Sequence, residues 1–161
     1  MAKLVEDQLL VPSVFDRLID HDLDSSQDGS QSRGQLLKQI KENVRRDIEN
    51  MLNTKRQCNT WDSYLKELNR SVVSYGIPDF TGTSFAEDAG QTELKYLLEE
   101  IILNFEPRFE SVSIEILDKE DSRQIRFHIK ALLRAYPAPE PIEFDSKLEP
   151  DTRSIIVENS K

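Results

Sequence analysis

A single cysteine, Cys58, stands among the 161 residues, so the chain can form neither an internal disulfide nor a multi-cysteine zinc site, and a reducing compartment is expected. Histidine is nearly as scarce. His21 falls in a polar stretch and His128 on the polar side of an alternating segment, which gives a metal site or a catalytic triad little to draw on. The sequence also lacks a Gly-rich phosphate loop, a His-Glu-x-x-His helix and a G-x-S-x-G elbow. Basic charge is short: 21 Lys and Arg against 30 Asp and Glu give a formal charge of −9. So acidic a chain is poorly suited to neutralising phosphates, and nucleic acid is not expected as a partner. No apolar run nears the ~20 residues of a membrane span. The start, Met1-Ala2-Lys3-Leu4-Val5-Glu6-Asp7, carries acids where an export signal carries apolar residues. Membrane insertion is therefore not expected, and the location is expected to be cytoplasmic.

What is present reads as helices followed by strands. Residues 1–20 hold a short apolar cluster in which Val14, Phe15, Leu18 and Ile19 suggest one short helix after Pro12. Residues 21–34 are rich in Asp, Ser, Gln and Gly, and read as a linker too polar to offset its ordering entropy. From about Gln35 to Thr54, Leu36, Leu37, Ile40, Val44, Ile48, Met51 and Leu52 return to one helical face. Lys38, Lys41, Arg45, Arg46 and Glu49 lie on the other face, a stripe that reads first as solvated and second as a dock for an acidic partner. Trp61, Tyr64, Leu65 and Leu68 give a weaker helical spacing of one or two turns.

Next comes Tyr75-Gly76-Ile77-Pro78-Asp79-Phe80, an ordered turn in which Gly76 and Pro78 shape the backbone while Tyr75, Ile77 and Phe80 anchor it. A further helix is expected from Gly90 to Thr92 onward, with Thr92 as its cap and Leu94, Leu97, Leu98, Ile101, Ile102 and Phe105 as its buried stripe. Beyond Pro107 the period changes to two. Val112, Ile114 and Ile116, then Ile125, Phe127, Ile129 and Ala131, alternate with polar residues and predict an antiparallel hairpin. Pro137, Pro139 and Pro141 should take the chain off the sheet or along its edge, and short strands are expected at 142–145 and 154–157. The fold class is α+β: N-terminal helices packed on a small antiparallel sheet, with a single domain over 35–157 and a tail at 158–161.

One position breaks a local rule. Glu106 sits at the negative end of a helix dipole, where a cation is favoured, and Arg108 supplies that cation across the rigid Pro107. The two charges either satisfy each other or face a partner, and Arg108 could also simply cap the helix carbonyls.

The run Asn104-Phe105-Glu106-Pro107-Arg108-Phe109, closing an apolar helix ahead of a hairpin, resembles the Glu-Pro-Arg motif of the contractile-tail baseplate wedge family, some of whose members have been labelled lysozyme-like. Three further segments are similar to the type VI secretion branch of that family: Leu10 to Leu18, Tyr75 to Phe80, and Pro137 to Asp145. The resemblance implies a structural baseplate subunit that contacts the wedge subunits TssF and TssG, near the TssK adaptor, and seeds polymerisation of the contractile sheath. It also implies that Glu106, Pro107 and Arg108 bind partners, and that a sheet edge adds a strand of the sheath, the Pro-rich exit guarding that edge.

Two other readings are weighed against this one. A glycoside hydrolase would need Glu106 as a protonated acid with Glu110 or Glu115 as its partner, yet nothing in their spacing selects that pair from 30 acidic residues. A regulatory anti-adaptor similar to the same fold would bind a response regulator by its surface. The sequence implies no catalytic residue, cofactor, metal or small-molecule substrate.

Overall fold

In the computed structural model, residues 13–18, 32–56, 62, 64–79, 88–117, 125–135, 138–149 and 154–160 are described. Cys58, Trp61, His21 and Phe80 lie outside them, as do most of the expected linker and the hairpin loop. The short N-terminal helix is α1 (Val14–Leu18), and the strongest apolar stripe forms α2 (Arg33–Asn53). Helix α2 starts two residues earlier than the stripe suggests because Ser32 and Gln35 form a reciprocal capping box. The weak spacing in the sixties yields only two 3-10 segments, Lys66–Arg70 and Val72–Ser74. Helix α3 spans Asp88–Phe105, which places Thr92 inside the helix rather than at its cap.

Four strands follow: β1 (Phe109–Leu117), β2 (Ile125–Leu133), β3 (Glu140–Glu149) and β4 (Ser154–Asn159). They pair antiparallel in the order β1-β2-β3-β4. Of the two expectations for the prolines, β2 does end at Leu133 before them, whereas β3, which contains Pro141, is an interior strand and not an edge. Pro141 faces Leu132 but lies beyond the last β3–β4 pair, Phe144 with Asn159, where β3 has no second neighbour among the described residues and a missing N–H is tolerated.

One face of the sheet is apolar and covered by the two long helices. Ile40, Val44, Ile48, Met51 and Leu52 of α2 and Leu94, Leu98, Ile101 and Ile102 of α3 join Ile114, Phe127, Ile129, Ile142, Phe144, Ile155 and Val157 in one core. Between Phe109 and Ser111 the β1–β2 register slips by one residue. That bulge lets Phe109, an odd-numbered residue, point into the core along with the even-numbered Ile114; an unbroken strand would send one of them to solvent. Phe109 is 2% exposed, so the bulge makes it an anchor at the start of the strand.

Both sheet edges are partly occupied by helix side chains. Asn53 of α2 donates to Ile155 O and accepts from Ile155 N, both at 2.8 Å, and Arg45 donates to Val157 O at 2.9 Å. On the β1 edge, Glu99 of α3 accepts from Ile114 N at 2.8 Å. The α2 stripe is therefore not simply solvated, because Arg45 works as an edge cap.

Ser146, on the core face of β3, is 5% exposed, and its hydroxyl has no partner among the described residues. An unpaired buried hydroxyl carries a desolvation cost without return. Ser146→Ala is expected to raise stability by about 1 kcal/mol, read as a higher urea midpoint at unchanged slope. An unchanged or lower midpoint would mean that the hydroxyl is satisfied.

Candidate functional site

Helix α3 carries its apolar stripe to Phe105, and Pro107 prevents it from continuing. Glu106 N still donates to Ile102 O at 2.9 Å, and Phe109 N turns back to Glu106 O at 3.2 Å. This tight corner leaves the Glu106 side chain 7% exposed and that of Arg108 23%. Three groups of Arg108 donate to the Glu106 carboxylate: its main-chain N–H at 3.2 Å, its Nε at 2.6 Å and its Nη2. Of the alternatives left open by the sequence, the internal pair is the one observed.

The pair is only part of a larger arrangement. Arg108 Nη2 also donates to Asp47 Oδ2 of α2 at 2.6 Å. Asp47 Oδ1 accepts from Arg46 Nη2 at 2.9 Å, and the same nitrogen donates to Asp16 Oδ1 of α1 at 2.8 Å. Asp16 Oδ2 lies 3.7 Å from Arg108 Nη1. The result is a closed ring of alternating charge, Arg108, Asp47, Arg46 and Asp16, with Glu106 attached to Arg108. Three carboxylates against two guanidiniums leave the cluster with one net negative charge.

The electrostatics follow from burial and pairing. Burial pushes the Asp16 carboxyl up, but hydrogen bonds from Ser13 and Arg46 outweigh it and hold the group below the ordinary aspartate range. Its contribution to stability is thus complete above the ordinary aspartate pKa and fades as pH falls through the lowered one. Burial likewise opposes the charge of Arg108, while Glu106 and Asp47 more than restore it.

The Tyr75 to Pro78 turn abuts this ring. Ile77 N donates to Thr54 O and Arg56 N to Ile77 O, both at 2.8 Å, so the turn is stitched to the chain leaving α2. Gly76 has φ +96° and lies so close to Thr54 that a Cβ would stand 2.2 Å from the Thr54 carbonyl oxygen. The Tyr75 ring meets Phe105 edge-on at 5.4 Å. Burial first, then the charges of Asp47 and Glu106, push the Tyr75 phenol up. Pro78 is half-buried beside them.

Segments far apart in sequence thus converge at one place: 13–18, 75–78 and 105–109. The residues that sequence reasoning missed are Asp16, Asp47 and the inward role of Arg46. Lone charges carry no periodic signal, so only the quoted segment around Asp16 hinted at its importance.

The other nominated groups lie elsewhere. Glu110 and Glu115 are exposed on β1, Glu115 is bonded to Lys130 at 2.7 Å, and His128 pairs with Asp145 at 2.6 Å on the outer sheet face. Among the described residues no group of three or more His, Cys, Asp or Glu side chains could hold a metal ion. No helix among them is long and apolar enough to cross a membrane.

A sequence model described as baseplate wedge protein gp25 matches residues 38–138, more than half of the chain. The matched stretch runs from within α2 through the turn, α3, the corner and the β1–β2 hairpin. Searches of curated proteins and of solved structures gave no match.

Proposed function

The chain belongs to the baseplate wedge protein gp25 family, and from that premise we propose that it is the TssE-type wedge subunit of a type VI secretion baseplate. In this reading it works in the cytoplasm, without catalysis or cofactor, joins the wedge subunits TssF and TssG near TssK, and starts the contractile sheath. The observation that carries the reading is the corner itself. The family match spans it, and its charges fix geometry: one ring locks α1, α2 and the corner that ends α3 into a rigid node. A rigid node suits a joint on which other subunits register, since little conformational freedom is left to lose on binding.

Glycoside hydrolysis is disfavoured on the same ground. A general acid needs an apolar setting that keeps its proton, whereas Glu106 is bound by a guanidinium on both oxygens. Strand addition by the sheath is best placed on β1. On β4 the groups of Ile155 and the carbonyl of Val157 are already taken by α2, while on β1, among the described residues, Glu99 holds the Ile114 N–H and Glu106 O holds the Phe109 N–H at the start of the strand.

Glu106→Gln tests the proposal because it keeps the side-chain volume and one acceptor oxygen for Arg108 while removing the charge and the second acceptor. The variant is expected to stay folded yet bind co-expressed TssF and TssG at least about tenfold more weakly, because Arg108 loses part of its anchor and the node loses pre-organisation that limits the ordering cost of binding, and to leave cells without fluorescent sheaths. Normal capture and normal sheaths in a folded variant would remove the corner from the mechanism.

A further inference from the structure

Helix α1 is attached in the reverse of the usual orientation. Its one acid, Asp16, points into the protein with its side chain 2% exposed, whereas Val14, Phe15 and Leu18 are 66%, 64% and 77% exposed. Five residues are too few to sustain a helix alone. What holds α1 is the carboxylate of Asp16 between two arginines, helped by Arg46 lying 5.6 Å from the centre of the Phe15 ring.

We infer that Arg46 and Arg108 form a carboxylate-binding site that Asp16 fills in the free chain and that an acidic side chain of a partner subunit takes over on assembly. The inference rests on the corner being an assembly contact. Asp16 itself demonstrates the chemistry of the site, with one oxygen 2.8 Å from Arg46 and the other facing Arg108.

Two features make this occupant replaceable. The contact to Arg108 Nη1, at 3.7 Å, is longer than a hydrogen bond, so Asp16 is hydrogen-bonded to one arginine alone, and its other oxygen is held by Ser13 of its own segment, at 2.7 Å from Oγ and 3.3 Å from N, bonds that can leave with it. In addition, α1 buries little apolar surface where it sits, and a surface that could bury Val14, Phe15 and Leu18 would favour its departure.

Charge decides between exchange and addition. Bringing a fourth carboxylate to a cluster that already has three against two cations would raise the excess from one negative charge to two; replacing Asp16 leaves it unchanged. Both arginines can be reached, because their side chains are 30% and 23% exposed. The free chain therefore carries an internal ligand at the place where the partner binds, and the apparent affinity for that partner is lowered by the fraction of time the site is filled.

The test uses the full chain with Asp16→Asn and Arg46→Gln. In Asp16→Asn the amides of residues 13–18 are expected to exchange with deuterium about tenfold faster, and capture of co-expressed TssF and TssG to tighten by about three- to tenfold, because no internal ligand has to leave. Arg46→Gln removes the site, so it frees the same amides yet weakens capture. These opposite signs are what a merely structural Asp16 would not produce. Unchanged exchange in Asp16→Asn, or weakened capture in both variants, overturns the inference. Glu106→Gln reports separately on the corner: if it leaves capture intact, the assembly reading fails whatever Asp16→Asn does to exchange.

Discussion

Arg108→Ala is expected to destabilise the isolated protein by about 3 kcal/mol, the cost of breaking a buried charge pair from one side, which lowers the thermal midpoint by roughly 6–12 °C for a chain of this size. Arg108 bonds both Glu106 and Asp47 while also facing Asp16. Without it, three carboxylates remain with Arg46 alone, and two of them, on Glu106 and Asp16, are nearly inaccessible to water. Their mutual repulsion and unpaid desolvation act on α1, α2 and the end of α3 together. Arg108→Lys is expected to recover only part of the loss, since a single ammonium cannot donate along two edges at once. Thermal and urea unfolding of the three proteins measures this. A midpoint for Arg108→Ala within about 2 °C of the parent, less than 1 kcal/mol at this size, would mean that the ring is a surface feature of little consequence.

Gly76→Ala should cost a similar amount by an unrelated route. At φ +96° an L side chain is strained by about 1–2 kcal/mol. The added Cβ would also lie 2.2 Å from the oxygen and 2.8 Å from the carbon of the Thr54 carbonyl, both backbone atoms that cannot rotate aside. Relief requires the turn to move off α2, which breaks the Ile77–Thr54 and Arg56–Ile77 hydrogen bonds at about 1 kcal/mol each. The sum is about 3 kcal/mol or more. Because Tyr75 moves with the turn, its edge contact with Phe105 should loosen too, and the corner with it. Urea unfolding together with amide exchange at residues 54–56 and 75–78 checks both parts. A parent-like midpoint with retained protection would show that the turn has room the glycine does not use.

Much of this fold was legible because burial leaves a periodic trace. The stripes of α2 and α3 and the alternation in β1 and β2 each follow the geometry of one element packed on one core. Their ends were less legible. Ser32 with Gln35 is a capping box that the polar surroundings of residues 21–34 concealed, and Gly90, read as a boundary, is carried within α3. The bulge did leave a trace, in that Phe109 and Ile114 differ in parity, but the period of two is regular only from Val112 onward, so Phe109 stood outside it.

The site was legible only in outline. Glu106 and Arg108 stood out because a charge conflicted with a helix dipole, a rule that acts within a few residues. Nothing local ties either of them to Asp47 or to Asp16, since pairing across 61 or 92 residues is set by how α2 and α1 pack. The same holds for Arg45 and Asn53: on a helix wheel they are outward polar residues, and only the position of β4 turns them into caps for its edge. Long-range electrostatic partners become visible once the helices have been placed by their apolar faces, and not before.

The companions of this chain in cells decide most directly whether it is a wedge subunit. Affinity isolation of the full-length protein from its native host, followed by mass spectrometry of the companions that remain in stoichiometric amounts, is predicted to return TssF, TssG and sheath subunits, and to lose them together when Glu106→Gln is the bait. Isolation of a response regulator in their place, or a companion set that Glu106→Gln leaves unchanged, would contradict that role.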